Sequence, residues 1–462
     1  MVELGLPSSA GGGADVLTRV EVDGFKTFKS FALDVGPLLV ILGPNGSGKS
    51  NFFDALRLLS RLAGTDVRSA ANSLRGQPHE LFHRGPDGTF GSRLRLTAEV
   101  LLEPTITDPW GSTFKITHSR IRYSVTLQRQ PDVKGIDRLV VTNESATPIL
   151  RVEDSYARSH RASQDFKHRY LKYSRQAPFL TTDNVSKTFH LHQDGHAGRK
   201  RYAEGADATV LSSITTTDFP HLYALREELR SWRFLHLEPA ALSRPSSVIA
   251  NEQLEPDGSN LASVLARIKA ETSGAAQPEG ELSTILADLS SLVPGVVGLD
   301  VSLDERDREW SVNIENRGGK PFSSRVASDG TLRVLALLTM LHDPKHRGLL
   351  CFEEPENGIH PARLRALLER LQELVTDPRD VDARGPLYQL IMNSHSPVVL
   401  NVLRKYPHIV KFADMMTSPG DETTGRTTRI RSVDLDALPF GGDERVSEYE
   451  VRAYLSTASG NE

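Results

Sequence analysis

The sequence predicts an α/β fold with a mixed, mostly parallel sheet, an antiparallel β lobe and an inserted subdomain. An apolar run from Leu38 to Leu42 leads through a glycine-rich loop into a helical pattern that extends to Leu62. Two further apolar runs, "GLLCF" from Gly348 and "LYQLIM" from Leu387, end in polar residues. The first run has the appearance of a strand that is buried on both faces of a parallel sheet.

The antiparallel lobe is predicted from alternating apolar and polar residues. The stretch "VLTRVEVDGFKTFKSFALDV" and the residues from Leu94 to Val100 both alternate in this way. Short strand patterns such as "RIRYSVTL" follow in a more irregular region, which we interpret as an insertion. The sequence therefore predicts a flexible tail (1–17), an N-terminal lobe (18–104), an inserted partner- or DNA-facing subdomain (105–235), a C-terminal lobe (236–440) and a terminal tail or helix (441–462).

Composition limits the class of protein. The 462 residues include 38% hydrophobic residues, which is enough for a large core, and the formal net charge of -4 does not indicate a dedicated nucleic-acid binder. The single cysteine, Cys351, excludes a disulfide framework and lies in an apolar run, where we expect an inert core thiol. No apolar stretch reaches the roughly 18 residues that a membrane span needs. We expect a cytoplasmic protein without a membrane partner.

The loop after the first strand fits an eight-residue phosphate-binding pattern in full. Its glycines let successive backbone N–H groups face one anion, and the following helix adds partial positive charge at its N-terminus. Lys49, interpreted as a solvent-facing residue, can reach the β- and γ-phosphates of a nucleotide, and the hydroxyl of Ser50 can ligate Mg²⁺. The predicted ATP-binding residues are Gly43, Pro44, Asn45, Gly46, Ser47, Gly48, Lys49, Ser50 and Asn51.

Polar residues at the ends of the two later strands extend this site. Glu353 and Glu354 end the strand in "GLLCFEEPENGIHP", at the sheet edge where ligands bind. One carboxylate can hold the Mg²⁺ shell, and its neighbour can orient or deprotonate the attacking water. His395, in "NSHSP", can bond a γ-phosphate or that water. Glu356 and His395 are the alternative candidates for the role of Glu354.

These motifs, together with "SDGTLR" at Ser328, resemble the ABC-type ATPase heads of the RecF, SMC and OLD-like group, and in particular its coiled-coil-free bacterial AAA-type members from DNA-repair and phage-defence loci. The resemblance covers residues 18–100 and 236–415. It implies an ABC-type P-loop ATPase head in which Glu353 binds Mg²⁺, Glu354 is catalytic and His395 is the switch. The signature, reduced to Ser328, Asp329 and Gly330, would act on ATP held by a second subunit.

The resemblance also sets expectations for function. It implies a Mg²⁺-dependent ATPase that forms a homodimer or higher oligomer around ATP and controls a separate effector, a nuclease or toxin, in phage defence or DNA repair. The alternative is a stand-alone RecF-like clamp that binds DNA. The chain after His395 is too short for a TOPRIM nuclease domain, so we expect no nuclease in this sequence. A glutamine corresponding to the Q-loop of the family is not recognisable.

Two segments of the insertion leave their roles open. The stretch "SYARSHRASQDFKHRYLKYSRQ", Ser155 to Gln176, mixes basic and aromatic residues and is either a nucleic-acid contact or a solvated, partner-docking face. In "FHLHQDGHAG", a hairpin that turns at Asp194 and Gly195 is favoured over a zinc site built from His190, His192 and His196.

Overall fold

The computed structural model describes residues 16–131, 137–193, 196–202, 205–345, 348–379, 387–403, 406–416, 426–434 and 445–458. The predicted N-terminal tail, apart from its last two residues, and the predicted turn at Asp194 and Gly195 lie outside these ranges.

A mixed sheet carries the motifs predicted to bind nucleotide. Its strands, in spatial order, are β12 (Arg233–Leu235), β17 (Gly348–Glu353), β18 (Tyr388–Ser394), β3 (Leu38–Leu42), β19 (Val410–Met416), β20 (Thr427–Asp434) and β21 (Arg445–Ser447). From β12 to β19 all neighbours are parallel, whereas β20 runs antiparallel to β19. Because parallel strands share one carboxyl edge, the polar residues that follow β3, β17 and β18 lie at the same edge of the sheet.

An antiparallel sheet forms the second layer. Its strands, in spatial order, are β11 (His196–Tyr202), β10 (Thr188–Gln193), β9 (Leu180–Asp183), β8 (Asp137–Pro148), β7 (Arg120–Pro131), β4 (Arg93–Leu101), β1 (Val16–Asp23) and β2 (Phe31–Asp34). The predicted strands of the N-terminal lobe are therefore continuous with those of the predicted insertion. Two smaller sheets consist of β13 (Ser246–Ser247), β14 (Val296–Asp304), β15 (Glu309–Asn316) and β16 (Phe322–Ser323), and of β5 (Thr105–Thr107) with β6 (Thr113–Lys115).

Helices cover both faces of the mixed sheet. The α-helices of the described residues are α1 (Lys49–Leu62), α2 (Val67–Asn72), α3 (Tyr156–Ser159), α4 (Gln164–Tyr170), α5 (Pro220–Ser231), α6 (Pro239–Leu242), α7 (Leu261–Thr272), α8 (Glu281–Leu292), α9 (Asp329–Leu341), α10 (Pro361–Leu374), α11 (Pro397–Leu403) and α12 (Glu448–Ala458). No helix in the described part of the chain is both long and apolar enough to span a bilayer.

The mixed sheet separates two hydrophobic cores. Leu39 and Ile41 of β3 face a core shared with the antiparallel sheet, α1 and α5. Leu38, Val40 and Leu42 face the other core, which α7 to α11 complete. This alternation explains why every residue of β3 is apolar and buried. The predicted α/β fold with an antiparallel β lobe is confirmed.

The boundary predicted after residue 235 stays a prediction. The strand just before it, β12, pairs in parallel with β17 and forms an edge of the mixed sheet. The terminal helix expected within 441–462 corresponds in the described residues to α12.

Candidate active site

Three loops converge at the carboxyl edge of the mixed sheet. In the register of the strands, Ser394 of β18 lies beside Leu42 of β3, and Asn393 lies beside Glu353 of β17. The phosphate-binding loop, the carboxylate pair and the loop of His395 therefore start from adjacent strand ends. The sheet brings together residues that are separated by about 350 positions in the chain.

The glycines of the phosphate-binding loop are required by its backbone. Gly43, Gly46 and Gly48 have φ values of 156°, 79° and 92°, which L-residues rarely adopt. A Cβ on Gly43 would lie 2.3 Å from the carbonyl oxygen of Ala413, and one on Gly48 would lie 1.8 Å from Oγ1 of Thr428. The loop is thus both curled and tightly enclosed, and its helix, α1, begins at Lys49.

Lys49 is not solvent-facing as the sequence predicted, because only 6% of its surface is exposed. Its Nζ donates hydrogen bonds to the carbonyl oxygens of Gly43 at 2.6 Å and of Pro44 at 2.7 Å. Burial lowers the pKa of Lys49 to about 8, although the negative charges of Glu354 and Glu356 act in the opposite direction. Lys49 therefore lies within the electrostatic field of the carboxylates that follow β17.

A chain of hydroxyl groups fixes the loop from the side of β20. Oγ1 of Thr428 donates to the carbonyl oxygen of Ser47 at 3.1 Å and lies 2.6 Å from Oγ1 of Thr27. Nδ2 of Asn51 donates to the same Thr27 oxygen at 2.9 Å. Sequence reasoning missed Thr27 and Thr428, since neither belongs to a motif and Thr428 lies near the other end of the chain.

The adjacent carboxylates occupy different environments. Glu353 is buried at the end of β17, and its Oε1 lies 3.8 Å from Nη2 of Arg57 on α1. The side chain of Glu354 is 33% exposed, and its Oε2 accepts a hydrogen bond from Nδ2 of Asn357 at 2.6 Å. Glu354 also has a φ of 52°, a strained value for a residue other than glycine. The backbone N–H of Glu354 donates hydrogen bonds to both the backbone carbonyl oxygen and Oδ1 of Asn393.

Glu356 connects the carboxylate loop to the loop of His395. Its Oε1 accepts hydrogen bonds from Oγ of Ser394 at 2.7 Å and from the backbone N–H of His395 at 3.0 Å. The ring nitrogen Nδ1 of His395 lies 3.6 Å from Oε1 of Glu354 and 3.5 Å from Oε1 of Glu356. The predicted pair of Glu354 and His395 is thus assembled, with Glu356 as a third member.

The signature segment begins α9. Oγ of Ser328 caps the helix by accepting from the backbone N–H of Thr331, and both Ser328 and Asp329 are exposed. Gly330 packs so closely that a Cβ would lie 2.4 Å from the carbonyl oxygen of Gly358, which follows the carboxylate loop. The signature helix is therefore in direct backbone contact with that loop.

Arg333, one turn further along α9, is a residue that the motif search did not single out. Burial lowers the pKa of its guanidinium, while Asp329, Glu354 and Glu356 act to raise it. Its Nε is buried and finds no hydrogen-bond partner in the described structure. Arg333 therefore contributes positive charge beside the carboxylates from the signature side.

The site has the donors and acceptors that a nucleotide with Mg²⁺ requires. Among the described residues, buried atoms without a hydrogen-bond partner include Oγ of Ser47, Oε2 of Glu356 and Nδ1 of His395. A buried polar atom without a partner is costly, so three of them in connected loops indicate a polar occupant. Hydroxyl and carboxylate oxygens, as on Ser50 and Glu353, are the ligands that Mg²⁺ prefers.

The structure bears on the two segments of the predicted insertion whose roles the sequence leaves open. The aromatic side chains of Tyr156, Phe166 and Tyr170 are buried in a small core, so they offer no surface for stacking on bases. His190 and His192 lie on one face of β10 with stacked rings 6.4 Å apart. The described residues contain no group of three or more potential metal ligands.

Comparisons with known proteins identify the family. The model described as "AAA domain, putative AbiEii toxin, Type IV TA system" matches residues 38–401, and the chain belongs to this family of AAA domains. No curated protein matches the sequence.

Solved structures of SMC heads are similar in fold. One, bound to the C-winged helix domain of ScpA, is 12% identical with a TM-score of 0.47, over 90% of this chain and 98% of that chain. The SMC head of Thermotoga maritima is 11% identical with a TM-score of 0.40, over 90% and 99% of the two chains. The SMC head of Pyrococcus furiosus, bound to the C-terminal domain of ScpA, is 11% identical with a TM-score of 0.43, over 90% and 96%.

Proposed function

We propose that this protein binds and hydrolyses ATP in the presence of Mg²⁺, within the RecF/SMC/OLD-like group of ABC-type ATPases. The observation that carries the proposal is the assembly of Lys49, Glu354, Glu356 and His395 from three strand ends into one electrostatic cluster. Membership of the AAA family supports nucleotide hydrolysis in general. The loop geometry supports a phosphate ligand, because curled glycines and a helix N-terminus present N–H groups to an anion.

Each residue of the cluster has a role in this proposal. Lys49 exchanges its bonds to the carbonyls of Gly43 and Pro44 for bonds to the β- and γ-phosphates. Ser50 and Glu353 hold Mg²⁺, which neutralises charge on the phosphates when it is bound. His395 senses the γ-phosphate from the edge of the cluster. The backbone N–H groups within 43–51, apart from Pro44, which has none, supply the remaining donors.

Glu354, rather than Glu356, is the better candidate for the base that activates water. Glu356 is only 8% exposed, and its Oε1 is already bound by Ser394 and His395. Glu354 is more accessible, and only its Oε2 has a described hydrogen bond, from Asn357. Its backbone is held in a strained conformation by Asn393, as is common for residues at active sites. Glu356 is then the residue that positions the loop of His395.

The ATP cycle is proposed to control a partner protein through a homodimer. Ser328 and Asp329 are exposed at the start of α9, where a second subunit can place its nucleotide against them. The family description names a putative toxin of a type IV toxin–antitoxin system, which supports a role in bacterial defence. The alternative, a DNA-binding clamp in repair, has less support because three aromatic residues of the basic segment, Tyr156, Phe166 and Tyr170, are buried.

Substitution of the carboxylates tests the assignment. Glu354→Gln keeps the size and most hydrogen bonds of the side chain but removes its charge, so it should bind ATP and hydrolyse it at least about 100-fold more slowly. Glu356→Gln is the matched control, because an amide oxygen still accepts from Ser394 and His395, and it should lose less than about tenfold. Glu353→Gln should instead raise the Mg²⁺ concentration that activity needs.

Steady-state ATPase rates and equilibrium ATP binding separate these outcomes. If Glu354→Gln turned over ATP at the wild-type rate while Glu356→Gln did not, the base would be Glu356. If none of the three substitutions changed turnover, the proposed ATPase site would be wrong.

A further inference from the structure

A cavity of about 480 Å³ lies against the β12 edge of the mixed sheet, away from the phosphate-binding loop. It is bounded by the C-terminal halves of α1 and α5, by β12 and by the loop of residues 251–256. Its volume is in the range of cavities that bind small molecules. Apart from Arg57, which also lies beside Glu353, none of its described lining residues contacts the proposed ATPase site.

Arginine is the most frequent charged residue in the lining of this cavity. Four arginines, Arg57, Arg61, Arg230 and Arg233, face two glutamates, Glu227 and Glu255. A cavity wall that gathers several guanidinium groups is typical of sites for phosphate or carboxylate groups, because the planar fork of arginine donates two parallel hydrogen bonds to such anions.

Two of these arginines already have favourable local electrostatic interactions. Arg230 forms an ion pair with Glu227 at 3.0 Å. Arg61 lies in the last turn of α1, where the helix terminus carries roughly half a negative charge. Glu255 accepts a hydrogen bond from Asn251. Neither glutamate forms an ion pair with Arg233 among the described residues, although Glu255 and Asp343 act on it at longer range.

Arg233 of β12 also lines the cavity. Its guanidinium makes no hydrogen bond and no ion pair with the residues that the structure describes, although β12 holds its backbone firmly beside Leu350. Burial lowers the pKa of Arg233 to about 10, and the positive charges of Arg61 and Arg230 lower it further against the opposing effects of Asp343 and Glu255. A partly buried cation that lies near other cations is stabilised by an anion.

We propose that this cavity is a binding site for a small phosphorylated ligand, with Arg233 as the residue that anchors the phosphoryl group. Arg61 and Arg230 flank the anchor and share the charge of the ligand. The volume exceeds that of a single phosphate, so the ligand carries either a second phosphoryl group or an organic part. Inorganic polyphosphates and nucleotides share this chemistry.

Binding of pyrophosphate, measured by titration calorimetry on the full chain, tests the proposal. All titrations use the Lys49→Ala protein as the parent, because this substitution weakens phosphate binding at the loop of 43–50 and does not alter the lining of the cavity. The Lys49→Ala protein should still bind pyrophosphate at one site. Adding Arg233→Met, which keeps an unbranched apolar stem on β12, should weaken this binding by at least about tenfold.

Two controls keep the result interpretable. Arg306→Met removes an arginine from the exposed turn between β14 and β15 and should leave pyrophosphate affinity unchanged. Arg61→Ala, at an exposed position where misfolding is not expected, should weaken binding by about threefold to tenfold even if Arg233→Met proves unstable. Arg57 is left unchanged because it also lies beside Glu353.

The proposal is overturned if the Lys49→Ala protein binds no pyrophosphate, or if Arg233→Met and Arg61→Ala both leave its affinity intact. If pyrophosphate binds as expected, a titration with adenosine 5′-monophosphate separates the two sources of the phosphoryl group. Tighter binding of this nucleotide than of pyrophosphate, again lost with Arg233→Met, assigns the cavity to nucleotides, whereas the reverse order assigns it to inorganic polyphosphates.

Discussion

At the scale of single residues, the lowered pKa of Lys49 predicts how many protons the protein takes up when it binds a nucleotide. The pKa of this buried lysine is lowered from 10.5 to about 8, so the protein without nucleotide loses the charge of Lys49 as the pH rises through 8. A bound diphosphate favours the charged ammonium form. Binding of Mg²⁺–ADP at pH 8 should therefore take up about half a proton, whereas binding at pH 6.5 should take up almost none.

Calorimetry in two buffers with different ionisation enthalpies measures this uptake. The experiment at pH 6.5 is the internal control, because Lys49 is already protonated there. Equal apparent enthalpies in both buffers at pH 8 would mean that the ammonium group keeps its proton without nucleotide, and that burial does not shift its pKa as described.

The residues of local motifs were predictable, and those that act through tertiary contacts were not. Gly43, Gly46 and Gly48 are required by positive φ angles that the motif itself implies. Thr428 belongs to no motif, and "SDGTLR" gives its last residue, Arg333, no role, because the contacts of both arise only when β20 and α9 pack against the site. The exposure of Lys49 was mispredicted for the same reason, since the motif does not reveal how tightly β19 and β20 enclose the loop.

At the scale of elements, β20 supports the phosphate-binding loop. Thr428 contacts Ser47 through its hydroxyl and leaves no room for a side chain on Gly48. Thr428→Val keeps the shape of the side chain but removes its hydroxyl, so the carbonyl of Ser47, the hydroxyl of Thr27 and the sulfur of Met415 lose a partner. We expect ATP affinity to fall about twofold to tenfold, which corresponds to the loss of one typical hydrogen bond.

Thr427→Val is the matched control for this experiment. Thr427 precedes Thr428 on β20, and its hydroxyl makes no hydrogen bond with the described residues. Equilibrium ATP binding should be unchanged in this variant. Equal affinities of the two variants would show that β20 encloses the loop without stabilising the conformation that binds nucleotide.

The elements themselves were largely predictable, but their pairing was not. The apolar runs at β3, β17 and β18 and the periodicity of α1 and α9 indicate element type directly. Alternation along β7 and β8 shows that one face is buried, but it does not identify the neighbouring strand. The sequence therefore does not reveal that β7, in the predicted insertion, pairs with β4 of the predicted N-terminal lobe along the whole of β4.

At the scale of the whole molecule, the exposure of the signature segment makes the proposed two-chain active site testable. Ser328 and Asp329 are exposed, while Gly330 and Arg333 connect α9 to the carboxylate loop of the same chain. A second subunit that docks its nucleotide on Ser328 would therefore act on a helix already in contact with the first active site. In the proposed homodimer, closure of the two subunits is therefore the step that would link ATP to a partner protein.

Complementary variants test that link. Ser328→Arg places a large cation where the nucleotide of a second subunit would dock, so it should leave ATP binding nearly intact but block dimer closure and hydrolysis. Ser328→Thr is the control, because it keeps both the hydroxyl and the helix cap and should behave as wild type. Lys49→Ala should bind no ATP but should retain an intact signature.

Mixing the two inactive proteins distinguishes a composite site from a site within one chain. A heterodimer of Ser328→Arg and Lys49→Ala pairs the intact phosphate-binding loop of the first with the intact signature of the second, so at most one of its two sites is complete. Steady-state ATPase should therefore recover in part upon mixing, and the recovery should depend on protein concentration because it requires association. Normal hydrolysis by Ser328→Arg alone would instead show that a single chain holds all the residues that hydrolysis needs, and the signature would then have no role in trans.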